Sequence, residues 1–159
     1  MRTTIISDTS SLIILTKLER LALLEHLFEK VLIPKRVEQE LATKEDGVHQ
    51  TIISNPLFEI VECKDTGLLE LLDDLLDYGE SEALVLAKER QRILLIDEKK
   101  GRKIAKTMGI QIIGFLGVLL LNYRHRKLSK EEIEDILHHA NNLNFRVSEK
   151  LKQDFFKAL

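Results

Sequence analysis

The chain has one cysteine, Cys63, no tryptophan, only two prolines, and aromatic residues at 5% of its positions. A lone cysteine excludes an intrachain disulfide and a cysteine cage for a metal, and makes a cytoplasmic location the expectation. The longest apolar run, Ile112 to Leu121, is far short of the roughly 20 residues that a spanning helix needs, so no membrane association is expected. The amino terminus shows no basic region followed by an apolar core and a small-residue cleavage site, and no signal peptide is expected. Net charge is also nearly absent, at -2, which excludes a uniform basic coat and leaves the distribution of charge as the informative quantity.

What is present is ordinary for a globular chain: 159 residues, 44% hydrophobic and 31% charged. That length fits a single domain, residues 1–159, with 124–159 as a C-terminal helical extension. Charge is unevenly placed. Glu59 to Glu82 holds nine acids against one base, Lys64, whereas Lys99 to Lys130 holds nine Lys or Arg and no acid. Solvated helix faces explain such runs in the first instance.

Short apolar runs alternate with helical patterns. Thr3 to Ser7 lacks polar alternation, as a strand buried on both faces does. Leucines at intervals of three and four from Leu12 to Leu27, continuing to Phe28, predict one broken or two short helices. Val31 to Ile33 is a second strand, and Pro34 suits the start of a helix over Lys35 to Ala42. Lys44 to Asn55 reads as a loop with a helical turn, and Phe58 to Val61 as an edge strand. A leucine-rich helix begins at Leu68, Tyr78-Gly79 interrupts it, and a second helix runs from Glu80 to Arg90. Ile93 to Ile96 and Ile110 to Ile113 are strands, each followed by a helix. Ser129-x-x-Glu132 is a capping box, and a last amphipathic helix carries Leu151, Phe155 and Phe156. The expectation is a three-layer α/β/α domain on a mainly parallel sheet of four or five strands.

Two of the strands end on a carboxylate, Asp8 and Asp97. In such folds ligands bind beyond the carboxyl ends of the strands, and neighbouring strands lie about 4.8 Å apart, so these acids are placed to share one cation. Asp8 is equally a good N-cap. Carboxylates without His or Cys select Mg²⁺ or Mn²⁺ over zinc. Glu80 lies on the same helix side as Ala83, Leu84 and Ala87, whereas Glu82 falls nearly opposite. Glu38 and Glu40 flank the Val37/Leu41 stripe symmetrically, and periodicity does not choose between them. His138 and His139 read as solvated helix residues.

Ile5-Ile6-Ser7-Asp8-Thr9-Ser10-Ser11-Leu12 resembles the opening strand and first acid of the PIN-domain ribonucleases, and within them the toxins of VapC type. Ile33-Pro34-x-x-Val37-x-x-Glu40-Leu41 resembles their second motif. Gly79-Glu80-Ser81-Glu82-Ala83-Leu84 and Leu94-Leu95-Ile96-Asp97 resemble the third and fourth. The resemblance covers roughly residues 3 to 121. It implies an Mg²⁺- or Mn²⁺-dependent endoribonuclease, the toxin of a toxin–antitoxin pair, with Asp8, Glu40, Glu80 and Asp97 catalytic and Asp8, Glu80 and Asp97 on the metal. It selects Glu40 over Glu38. The third acid is commonly Asp in such toxins and is Glu here, and Glu82 stays open as the alternative to Glu80. RNA as substrate, a small antitoxin and a homodimer are the implied partners.

Lys99, Lys100, Arg102 and Lys103 follow Asp97 directly and are candidate phosphate-binding residues. Thr9 and Ser10 are candidates to orient acids or substrate. A catalytically silent PIN-like binding module is the first alternative. A receiver-like phosphoryl-transfer domain is the second; it wants adjacent acids after the first strand, where Asp8-Thr9 stands.

Overall fold

The computed structural model describes residues 3–159. Among them the elements run β1 (Thr3–Ser7), α1 (Thr9–Lys17), α2 (Ala22–Glu25), β2 (Phe28–Pro34), α3 (Lys35–Ala42), α4 (Val48–Ile53), β3 (Phe58–Val61), α5 (Thr66–Asp73), α6 (Tyr78–Arg90), β4 (Ile93–Leu95), α7 (Lys99–Thr107), β5 (Ile112–Ile113), α8 (Phe115–Arg124), α9 (Lys130–Asn142) and α10 (Glu149–Lys157). The five strands form one sheet in the order β3-β2-β1-β4-β5, and every pairing is parallel. This is a three-layer α/β/α architecture, with helices on both faces of a parallel sheet.

The run of apolar residues without alternation has its physical reason in that sheet: each strand buries both sides. Ile5, Val31, Ile33 and Leu95 face a core shared with α1, α8, α9 and α10, through residues such as Leu15, Val118, Ile136 and Phe155. Ile6, Leu32, Leu94 and Ile96 face a second core built with α6 and α7, including Leu84, Leu86 and Ala105. The helices after residue 124 therefore pack on the same core as the first strand, with Phe155 buried and Leu151 half exposed.

Order β3-β2-β1-β4-β5 means that the chain steps outward one way from β1 and then returns to step outward the other way from β4. The crevice at that reversal, beyond the carboxyl ends of β1 and β4, is where open α/β sheets bind ligands. Asp8 and Asp97 both emerge there, and the Asp8 amide donates to the Leu95 carbonyl at 3.0 Å.

Several elements differ from the sequence expectations. Phe28 begins β2 instead of ending a helix, because it is buried and in register with Thr3. Val48–Ile53 is a six-residue helix, set by Gly47 at φ +81° and by burial of Val48 and Ile52 one turn apart. Tyr78-Gly79 does not interrupt a helix: the break is Asp74–Asp77, and both residues lie in the first turn of α6. Helix α7 starts at Lys99, capped by Glu98. Strand β5 is only Ile112–Ile113, with Ile110 buried beside it. The Ser129/Glu132 capping box is present in full.

Candidate active site

A cavity of about 210 Å³ opens at the crevice, lined by Asp8, Thr9, Ser10, Ile13, Glu40, Lys44, Asp77, Glu80 and Glu98. Among the described residues, four larger hollows elsewhere each gather fewer acids. Asp97 stands immediately beside it, near enough for its charge to act on Asp8.

Asp8 does both of the things its position allows. It is the N-cap of α1, with Oδ1 accepting from the Ser11 amide at 3.0 Å, while Oδ2 accepts from the Ser10 hydroxyl at 3.2 Å. It is 1% exposed, and burial pushes its carboxyl from 3.8 up to about 6, against the lowering effect of the Ser11 and Ser10 hydrogen bonds. Asp97 Oδ2 accepts from the Ser11 hydroxyl at 3.1 Å and Oδ1 from the Phe115 amide at 3.0 Å. Burial raises its carboxyl too, and its hydrogen bonds and Arg102 oppose the rise.

Glu40 comes from α3, and its Oε1 accepts from the Thr9 hydroxyl at 3.1 Å. Its neighbour Glu38 is instead bound to His49, at 2.7 Å, on the far side of the helix. Gly79 lets α6 close on this acid: a Cβ there would strike the Glu40 carboxylate and lie 3.1 Å from the Thr9 hydroxyl.

Glu80 and Glu82 diverge completely. Glu82 is 2% exposed, and it accepts from the Arg36 amide at 2.9 Å and the Cys63 amide at 3.1 Å, tying α6 to α3 and to the segment after β3. It lines no part of the cavity, so the structure does not support it as the third acid. Glu80 Oε2 is buried without any hydrogen-bond partner. Burial, with Glu98 and Asp77 alongside, holds the Glu80 carboxyl well above the ordinary carboxylate range.

The flanking cations divide. Lys99, Lys100 and Lys103 are exposed on α7 outside the cavity. Arg102 turns inward, donating to the Ile96 carbonyl at 2.8 Å next to Asp97. Thr9 and Ser10 each spend a hydroxyl bond on an acid. Three charged cavity residues were not singled out from the sequence: Lys44, Asp77 and Glu98. Glu98 adjoins Asp97, and Asp77 precedes Glu80 by three, one helical turn; those spacings were the available signal. Glu98 is occupied as the α7 cap, accepting from the Lys100 amide at 3.0 Å and the Gly101 amide at 2.6 Å.

Among the described residues, no three His, Cys, Asp or Glu side chains are already gathered in a chelating arrangement. The donor set nevertheless fits a hard cation: oxygen ligands only, one carboxylate oxygen buried without a partner, and two carboxyls whose charged form burial disfavours. Asp8, Glu80 and Asp97 are the residues that would hold it.

A parallel α/β sheet with acids gathered at its reversal point defines a class of acid-centred α/β domains. Within that class the family follows from comparison: residues 4–159 match the family described as PIN domain, and the chain belongs to it. That membership points to nuclease activity in general and to divalent-metal dependence as the family's habit. The match extends through the C-terminal helices, beyond residue 121. No curated protein matches the chain. No helix among the described residues is long and apolar enough to cross a membrane.

Proposed function

We propose that the chain is an Mg²⁺- or Mn²⁺-dependent endoribonuclease, with Asp8, Glu40, Glu80 and Asp97 as its acids. The observation that supports this most is Glu80 Oε2, a buried carboxylate oxygen with no partner in a cavity walled by other acids. Without a cation the Glu80 carboxyl holds a proton more readily than an ordinary glutamate, and a hard cation would take that proton's place. When bound, Mg²⁺ or Mn²⁺ would neutralise charge on the attacked phosphate and acidify the attacking water.

The residues of the chain supply the rest. Ser10 and Ser11 fix the Asp8 and Asp97 carboxylates, and Thr9 fixes Glu40. The proton that water gives up would pass to a cavity carboxylate that does not hold the cation, and Glu40 lines the wall in that capacity. Water oxygen bonds to phosphorus, the P–O3′ bond breaks, and the departing oxygen takes a proton, leaving 5′-phosphate and 3′-hydroxyl ends. Lys99, Lys100 and Lys103, exposed just beyond Glu98, would hold flanking phosphates. The resemblance of the four motifs to toxins of VapC type supports a toxin role, with a small antitoxin as partner and a homodimer as the assembly.

Incubation with a mixed RNA pool tests this. Cleavage should require Mn²⁺ or Mg²⁺, stop with chelator, and disappear in Asp8→Asn and Asp97→Asn. Undiminished cleavage in both variants would sink the mechanism.

A further inference from the structure

The basic run that begins beside the site does not end there. Arg124 ends α8, and Arg126, Lys127 and Lys130 follow it; that helix starts at the carboxyl edge with Phe115, the residue whose amide holds Asp97. Helix α8 then runs back along the sheet for ten residues, about 15 Å at the usual rise. These four cations therefore stand at the amino edge, remote from the acids. All four are exposed, and none takes part in an ion pair among the described residues. Arg124, Arg126 and Lys127 border a shallow hollow, with Lys130 just beyond it in sequence, and its one acid, Glu132, is engaged by Arg20 at 3.8 Å and by the Ser129 amide at 3.1 Å.

Helix capping accounts for only part of this. Cations complement the negative end of a helix dipole, an effect confined to the last turn. Helix α8 closes in a Schellman turn, in which the Lys127 amide donates to the Asn122 carbonyl at 2.8 Å and the Arg126 amide to the Tyr123 carbonyl at 2.9 Å. That places Arg126 at φ +59°, where glycine is favoured and a residue with a Cβ is strained. Glu19, Gln91 and Asn144 hold the same left-handed position at the ends of α1, α6 and α9, so the turn itself does not call for a cation at position 126.

We propose that Arg124, Arg126, Lys127 and Lys130 form a second docking site for the phosphate backbone of single-stranded RNA, anchoring a strand that also reaches the acid cavity. A protein partner is disfavoured because the hollow offers no exposed apolar anchor: Leu128 is 5% exposed and Tyr123 half-buried. Phosphate contacts need only exposed cations and carry no sequence requirement. The ligand chosen rests on the nuclease reading, but the test does not use cleavage.

Binding of labelled single-stranded RNA of about 30 nucleotides is followed by anisotropy in chelator across a salt series, for the wild type, Arg126→Gly, the triple variant R124Q/R126G/K127Q, and R146Q/K150Q/K157Q as a control of equal charge. Arg126→Gly should melt higher than the wild type while binding more weakly, which separates binding from folding. The triple variant should bind at least tenfold more weakly at low salt, and its salt slope should be shallower by up to about 2. The control should change far less. Unchanged affinity in a folded triple variant overturns the proposal, as does an equal loss in the control. Displacement of RNA by polyglutamate of matched charge as readily as by unlabelled RNA also overturns it, in favour of an acidic protein. RNA that binds but is never cut with Mn²⁺ would count against the nuclease reading and leave the docking site standing.

Discussion

Asp8→Asn should stabilise the metal-free protein while abolishing its activity. Burial pushes the Asp8 carboxyl from 3.8 up to about 6. A rise of about two units on a side chain this buried is worth at most about 3 kcal/mol of lost stability at neutral pH. The sign follows from proton counting. Between the ordinary carboxylate value and about 6 the native state binds the extra proton, so the penalty is complete above that range and vanishes as pH falls below it. Asparagine removes the charge but keeps an Oδ1 acceptor for the Ser11 amide, now at 3.0 Å, so the cap of α1 survives. It also relieves the repulsion with Asp97. For a chain of this size about 1 kcal/mol moves the melting temperature by about 2–4 °C, so a rise of about 5 °C or more is expected at pH 7 in chelator. The gap between variant and wild type should shrink toward zero near pH 4. Added Mg²⁺ or Mn²⁺ should narrow it from the other side, since the wild type gains more from the cation. With no tryptophan in the chain, circular dichroism is the suitable probe. A variant that melts below the wild type at pH 7 in chelator, or an offset that ignores pH, would refute the reasoning.

The two glutamates of α6 should separate cleanly: Glu80→Gln is expected to raise the melting temperature in chelator and abolish metal-dependent cleavage. Glu82→Ala should cost about 1–3 kcal/mol by stranding the Arg36 and Cys63 amides, read by urea unfolding, while cleavage per folded molecule persists. Gly79→Ala should hold or gain helix stability yet cut the cleavage rate at least tenfold, because the new methyl group displaces the Glu40 carboxylate. Full activity in that variant would show that the position of Glu40 is not critical.

The alternating architecture was legible because each strand is a short apolar run and each helix has its own stripe or cap, as Ser129 and Glu132 show. What was not legible depends on contacts between distant segments. Val48–Ile53 buries only two residues in six, too few for a period to emerge. Gly79 looked like punctuation, yet its reason is close approach to a carboxylate from α3. Glu38 and Glu40 are symmetric about their own helix, and the contacts that separate them come from distant segments: His49 takes Glu38 and Thr9 bonds Glu40. Asp77 and Glu98 stand close in sequence to Glu80 and Asp97, but what brings both to one cavity wall is the packing of α6 against α7.

The short segment after β1 does more than supply the first acid. Successive residues on a helix project about 100° apart, so the hydroxyls of Thr9, Ser10 and Ser11 fan out to three different carboxylates: Glu40, Asp8 and Asp97. These three acids arise from α3, β1 and β4, and one turn of helix holds them together. Hydrogen bonds to a carboxylate favour its charged form, and they partly offset the burial that raises Asp8 and Asp97. Glu80 has no such donor. Its nearest partners are other acids, Glu98 and Asp77, and its Oε2 is left unpaired. Three of the acids are thus tied down by hydroxyl donors from one turn of helix, whereas the Glu80 Oε2 oxygen is left for what binds, which makes Glu80 the carboxylate whose surroundings a cation would change most.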